Sequence, residues 1–315
     1  LTMRAIVTDP SAPEFFTIKE VEAPKAQPWE AIVQVKAISL NRGEVKDAID
    51  HGEMARPGWD FAGTVIEPAA NGLGPKQGSR VVGLLPAGAW SEQVAAPVSM
   101  LAEIPDEVDF AKAATLPVAG LTALNALRKG GMLLGKRIFV TGSTGGVGLF
   151  AHQLAALSGA FAVGMASTEE KAKLVREAGA DEVIVGYSRM EAAREFGPYD
   201  LIVDSVGGDT LAALLPLLAP QGICVYDEFG DERRKNFIQL LSRGGAYAPF
   251  GRGRFACAGP VGRKRPVNAA DRGGGAVDRH RLRRQPLARA KLFRQGRAPN
   301  RLIRPGHGPF PVQSV

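Results

Sequence analysis

Ile138-Phe139-Val140-Thr141-Gly142-Ser143-Thr144-Gly145-Gly146-Val147-Gly148, running on as Leu149-Phe150-Ala151-His152-Gln153-Leu154-Ala155, sets the frame for the whole chain. An apolar run breaks into glycines and resumes with helical spacing, the pattern of a strand, a tight turn and a helix N-terminus. The first N–H groups of a helix have no partner within it and the dipole is positive there, so this turn can hold a phosphate. Gly142, Gly145 and Gly148 recur every third residue with Gly146 beside them. The usual G-x-G-x-x-G dinucleotide spacing would need glycine at position 143, where this chain has Ser143.

The residues beyond the turn supply the context that the motif requires. Strands are predicted at 138–141, 161–166, 182–185, 201–204 and 222–226, with helices after Gly148, at 169–178 and at 211–218. Such alternation implies a parallel sheet with helices on both faces. Upstream the pattern differs: short strands at 3–7, 30–38, 60–66, 79–84 and 90–95, separated by Gly- and Pro-containing turns, predict a compact β-barrel-like region. Helical patterns at 110–116 and 121–127 lie between the two. The expected organisation is a β domain over 1–118, a dinucleotide-binding domain over 119–250 and a tail over 251–315.

The end of the second strand of the parallel sheet discriminates between nicotinamide cofactors. Glu169 and Glu170 lie near the distance at which an acid accepts from the ribose hydroxyls of NAD. Ser167-x-x-Glu170 also reads as a helix capping box. Ser167 and Lys171 can instead hold a 2′-phosphate, one by hydrogen bond and the other by charge, and NADP(H) is the expected cofactor. Asp204-Ser205-Val206-Gly207-Gly208 closes a strand at the ligand edge of the sheet, where Asp204 has a structural reading and a general-acid reading.

Several stretches together carry a family resemblance: Ser39-Leu40-Asn41-Arg42-Gly43-Glu44, Pro57-Gly58-Trp59-Asp60-Phe61-Ala62-Gly63, Ala113 to Ala123, the Val140 to Gly148 loop, and Glu177-Ala178-Gly179-Ala180-Asp181. Residues 1 to about 245 resemble the medium-chain dehydrogenase/reductases, in particular the zinc-independent quinone oxidoreductase (ζ-crystallin-like) group. The resemblance implies a GroES-like β domain joined to a Rossmann domain, a homodimer, and hydride transfer from NADPH to a quinone or an α,β-unsaturated carbonyl. It implies Asn41 beside the nicotinamide as the catalytic position, Thr122 near the nicotinamide half of the cofactor, and Thr144, Gly145, Gly146 and Val147 at the pyrophosphate. Around the 2′-phosphate it implies Ser167, Lys171 and Tyr187. The family's alcohol dehydrogenases hold zinc through a cysteine, a Gly-His-Glu motif and a later cysteine or acid. Here Asn41 and Gly58-Trp59-Asp60 stand in those regions, and three good ligands cannot be assembled, so no metal is expected. His51 and His152 are read as ordinary histidines.

Composition bounds the rest. With 45% hydrophobic residues and only Cys224 and Cys257, the chain has neither a disulfide framework nor a four-cysteine zinc lobe. No run reaches about 18 apolar residues and no secretory pattern opens the chain, so a cytoplasmic enzyme with no membrane partner is expected. The net charge of +7 conceals a division: residues 246–315 carry 16 Lys and Arg against 2 acids, leaving 23 against 30 in residues 1–245. The Arg/Gly/Pro-rich tail shows no helical or strand period and departs from the family, in which further strands of the Rossmann sheet should come after Tyr226. It is read as disordered, or as the product of a reading frame shifted near residue 250, and it argues against the family's dimer. Two alternatives arise from it: an inactive cofactor-binding relative, and a nucleic-acid-binding protein, the latter disfavoured because no aromatics interleave with the arginines. Resequencing the gene tests the frame: a single-base change restoring the family pattern after residue 250 is the expected result, and an intact frame encoding this tail overturns it.

Overall fold

Alternating burial builds the first sheet. Thr2–Thr8 (β1) and Phe16–Glu22 (β2) pair antiparallel as a ribbon, tied to the rest of the β domain by a bridge between Ala5 and Ser91. In Glu30–Ser39 (β3), Ala31, Val33 and Val35 turn into a core while Gln34 and Lys36 do not, the two-residue period of a strand with one covered face. After helix α1 (Arg42–Asp50), strands Asp60–Glu67 (β4), Arg80–Leu84 (β5), Gln93–Pro97 (β6) and Leu101–Glu103 (β7) complete an antiparallel sheet ordered β3-β4-β5-β7, with β6 on the other edge of β3. Phe61, Val65, Val81, Trp90 and Val94 fill it. This is the GroES-like half-barrel. The computed structural model describes residues 1–226, 239–242 and 312–313, with backbone alone at Tyr187, Ser188 and the last two segments.

A helical passage comes next: α2 (Phe110–Ala114), a wide turn over Leu116–Gly120, and α3 (Leu121–Lys129). Beyond it lie Arg137–Val140 (β8), Gly146–Leu157 (α4), Phe161–Ala166 (β9), Glu169–Glu177 (α5), Glu182–Val185 (β10), a tight turn at Tyr187–Ala192, Ala193–Phe196 (α6), Tyr199–Asp204 (β11), Gly208–Leu214 (α7) and Leu218–Tyr226 (β12). The five strands run parallel in the order β10-β9-β8-β11-β12, the arrangement of a Rossmann sheet. Gln239–Ser242 (β13) pairs antiparallel with β12 at the edge. Val312–Gln313 (β14) adds two residues parallel to β3.

Both faces of the parallel sheet are covered, as its near-continuous apolar strands require. Ile138, Val140, Leu201 and Val203 meet Ala123, Ala126 and Leu127 of α3 and Ala151 and Ala155 of α4. Phe139, Met165, Ile202 and Cys224 point the other way, with Tyr199 and Leu214. Phe139 and Tyr199 meet edge to face at 5.2 Å, and the Tyr199 hydroxyl donates to the Ala193 carbonyl at 2.6 Å.

The structure departs from the sequence expectations where local signals compete. The helix expected after Gly148 begins at Gly146, because glycine tolerates the first helical turn. The helix expected over 211–218 starts at Gly208, ends at Leu214 as Pro216 enters a tight turn, and yields Leu218 to β12. The strand expected over 90–95 forms as Gln93–Pro97, with Trp90 buried in the core before it. Strands β2 and β7 and helices α1 and α6 lie outside those expectations. Readings of the tail as disordered, frame-shifted or nucleic-acid-binding fall almost wholly outside the described residues.

His152 lies wholly inside, on α4, and neither ring nitrogen has a hydrogen-bond partner among the described residues. Burial pushes its pKa down from 6.5 to about 4. The neutral ring is therefore the folded form, whereas the unfolded chain takes up a proton below pH 6.5, and stability drains away between pH 6.5 and 4. Thermal melts of His152→Leu against the parent should show the variant gaining in relative stability as the pH is lowered from 7 to 5. Parallel pH profiles would contradict a buried neutral imidazole.

Candidate cofactor and active site

The parallel sheet reverses its strand order between β8 and β11, and the crevice at that switch point is where such sheets take ligands. Hydrogen bonds clasp it shut from below. The Thr141 hydroxyl donates to Asp204 Oδ1 at 2.7 Å, Gly207 N–H donates to Asp204 Oδ2 at 2.8 Å, and Ser205 N–H donates to Thr141 Oγ1 at 3.0 Å. Asp204 is 2% exposed, and both carboxylate oxygens are occupied in holding the two loops. That geometry agrees with its structural reading.

Above the clasp lies the glycine turn. Gly142 has φ +57°, a left-handed conformation that glycine adopts without penalty. A Cβ on Gly148 would meet the Gly142 carbonyl and lie 2.6 Å from Ser143 Cα, so α4 packs directly on the turn. Gly145 is the N-cap and has no side chain to cap the helix; Leu149 N–H is satisfied by the Gly145 carbonyl at 2.9 Å. The N–H groups of Gly146, Val147 and Gly148 precede that first bond and have no acceptor within the helix. Thr144 is half-buried and Gly145 exposed at the mouth. These features fit a pyrophosphate: open donors, a positive helix end and no Cβ in the way.

Ser143, the residue that spoils the motif in sequence, has a structural task. Its hydroxyl donates to the Val140 carbonyl at 2.7 Å and accepts from Met165 N–H at 2.9 Å, tying the end of β8 to β9. The buried side chain supplies bonds that glycine could not.

At the end of β9, Ser167 is exposed and Lys171 half-buried. The capping box expected between Ser167 and Glu170 does not form; Thr168 is the N-cap of α5 and its hydroxyl accepts from Lys171 N–H at 3.3 Å. Glu169 is ion-paired with Arg176. Ser167 and the Lys171 ammonium make no side-chain hydrogen bond or ion pair among the described residues. Thr122 is half-buried in the first turn of α3. The side chain of Tyr187 lies outside the described residues.

Asn41 is the N-cap of α1, in a capping box with Glu44. Its Nδ2 donates to Asp60 Oδ2 at 2.7 Å and to Glu44 Oε1 at 3.2 Å. Glu44 also accepts from the backbone N–H groups of Asn41 and Trp59. The second Asp60 oxygen accepts from Val118 N–H at 3.0 Å. Glu44 and Asp60 are 1% and 0% exposed. Burial, with Asp60 adding repulsion, raises Glu44 to about 8 against the pull of its hydrogen bonds, and burial raises Asp60 to about 6. Sequence reasoning singled out Asn41 and missed both acids as site residues. The spacing Asn41-x-x-Glu44 at a helix start, and an acid opening the apolar run 60–66, were the signals.

Among the described residues no group of three or more His, Cys, Asp or Glu is arranged to hold a metal ion, and no helix is long and apolar enough to cross a membrane.

Known proteins resemble this chain in sequence and fold. Residues 27–106 match the alcohol dehydrogenase GroES-like domain and residues 146–251 the zinc-binding dehydrogenase domain. The chain belongs to the medium-chain dehydrogenase/reductase superfamily. It is 30% identical over 240 residues to acryloyl-coenzyme A reductase of Sulfurisphaera tokodaii, covering 66% of this chain and 71% of that one. It is 33% identical over 227 residues to quinone oxidoreductase of Pseudomonas aeruginosa, covering 68% and 69%. A mycobacterial structure complexed with NADPH superposes with a TM-score of 0.63 at 29% identity, covering 70% of this chain and 72% of that one. Membership makes the chain an oxidoreductase of the NAD(P)H-using kind, and the glycine turn fits that cofactor.

Two substitutions probe the geometry. Gly148→Ala, with no room beside Ser143 Cα, should destabilise the fold by about 1–3 kcal/mol and weaken NAD(P)H binding, read by melting and by cofactor fluorescence. Because the fold raises the Glu44 pKa above its unfolded value of 4.5, stability is lost as pH rises from about 4.5 to 8. Glu44→Gln should therefore gain relative to the parent across that window in pH-dependent melts.

Proposed function

We propose that this oxidoreductase uses NADPH to reduce a quinone or an α,β-unsaturated carbonyl without a metal. The observation that carries the cofactor choice is the end of β9, where the Ser167 hydroxyl and Lys171 ammonium have no side-chain partner among the described residues and, of the two nearby acids Glu169 and Glu170, the first is tied to Arg176. An unpaired cation and a hydroxyl suit a 2′-phosphate; an engaged carboxylate is less suited to the ribose hydroxyls of NAD.

NADPH, when bound, supplies the hydride. The chain's own contribution is placement. The Gly146, Val147 and Gly148 N–H groups would hold the pyrophosphate, Ser167 and Lys171 the 2′-phosphate, and Thr122 and Asn41 would flank the nicotinamide half. Asn41 and Trp59 offer no metal-ligating nitrogen or sulfur in the regions where the family's zinc enzymes carry ligands. A substrate activated by conjugation needs no Lewis acid, and the names of the acryloyl-coenzyme A reductase and the quinone oxidoreductase to which this chain is similar agree with that class.

Purified chain should oxidise NADPH in the presence of 1,4-benzoquinone or a simple enone, at a kcat/KM about tenfold or more above that with NADH. Lys171→Ala should raise KM for NADPH about tenfold, equivalent to ~1.4 kcal/mol, and leave KM for NADH unchanged. A preference for NADH in the parent would sink the cofactor assignment, and NADPH binding without turnover of either substrate class would sink the reaction.

A further inference from the structure

Asp60 joins two segments that are far apart in sequence, and it does so from complete burial. One oxygen takes Asn41 Nδ2 at 2.7 Å, at the start of α1; the other takes Val118 N–H at 3.0 Å, in the wide turn Leu116–Gly120 that runs directly into α3 and Thr122. One of the atoms that Asp60 holds thus belongs to Asn41, and the other lies in the turn that leads into the helix carrying Thr122. A carboxylate is the group suited to this, because it accepts on both oxygens and donates on neither.

A core position would be cheaper to fill with an apolar side chain. Burying a carboxylate costs several kcal/mol unless it is well bonded, and here burial raises its pKa. Stability alone does not explain its choice. Glu44 reinforces the same amide from the other side, taking Asn41 Nδ2 at 3.2 Å and Asn41 N–H. With both Nδ2 protons taken by carboxyl oxygens, the Asn41 amide has one orientation.

We propose that Asp60 is a positioning residue of the reductase site, fixing the orientation of Asn41 toward the nicotinamide. The proposal rests on the functional reading above. It requires that Asp60 act through Asn41, and that its loss slow turnover more than it weakens cofactor binding, because the pyrophosphate and 2′-phosphate contacts arise on other elements.

A double-mutant cycle tests this. Asp60→Asn preserves shape but turns one acceptor into an N–H donor, leaving Asn41 Nδ2 or Val118 N–H without its partner. Asp60→Ser, which leaves room for a water between the two donors, is run beside it so that misfolding of one protein leaves the cycle intact. With NADPH and 1,4-benzoquinone, each should lower kcat by about 30-fold, as expected for a misplaced reacting group, while the NADPH dissociation constant stays within about threefold. Combined with Asn41→Ala, either should be no slower than the slower single variant. Multiplying effects, or a loss confined to NADPH affinity, would overturn the proposal. The fluorescence of bound NADPH gives a readout independent of substrate: Asp60→Asn and Asn41→Ala should shift its emission alike. If the parent reduces neither substrate class, the functional reading falls on its own; matching emission shifts then support the Asp60 assignment and unchanged emission overturns it.

Discussion

The clasp of Thr141 and Asp204 across the switch point is the constraint on which the cofactor crevice depends. A parallel sheet opens a gap where its strand order reverses, and the two loops leaving β8 and β11 would diverge there if nothing joined them. One buried carboxylate holds a hydroxyl from one loop and a backbone N–H from the other. The glycine turn above can then lie against α4 with its donors facing outward.

Much of this was legible in the sequence because strand and helix periods are strong in the Rossmann half. Phe161–Ala166 and Glu182–Val185 form as strands at the bounds read from their apolar runs. Elsewhere the signal was local and weak. Strand β2 leaves Ile18 exposed and, among the described residues, pairs only with β1, so it has no clean apolar face. Helix α1 is polar and carries its decisive residue, Glu44, on its buried side. Ser143 looked like a defect in a motif; only the spatial closeness of Val140 and Met165 explains it.

The candidate site was read less completely than the fold, for a physical reason. Asn41, Ser167 and Lys171 carry recognisable chemistry at recognisable places. Asp60 bonds Asn41, 19 residues back, and Val118, 58 residues on, and Glu44 bonds Trp59, 15 residues on, besides its near neighbour Asn41. Spacing along a chain does not encode such contacts. In sequence a buried acid within an apolar segment looks like an exposed one, and its meaning emerges when the backbone donors around it are counted.

The strand order has a consequence for how the chain is made. β8 is synthesised before the other strands of its sheet and ends at the centre of it; β9 and then β10 add on one flank, and β11 and then β12 on the other. Every strand leaving the ribosome finds a finished edge waiting, and none has to be inserted between two already paired. The sheet can grow outward in the direction of translation, as vectorial folding of domains favours. The seed of that growth, Arg137–Val140, leads straight into the glycine turn, so the stretch whose shape fits the cofactor is also the first part of its sheet to be built.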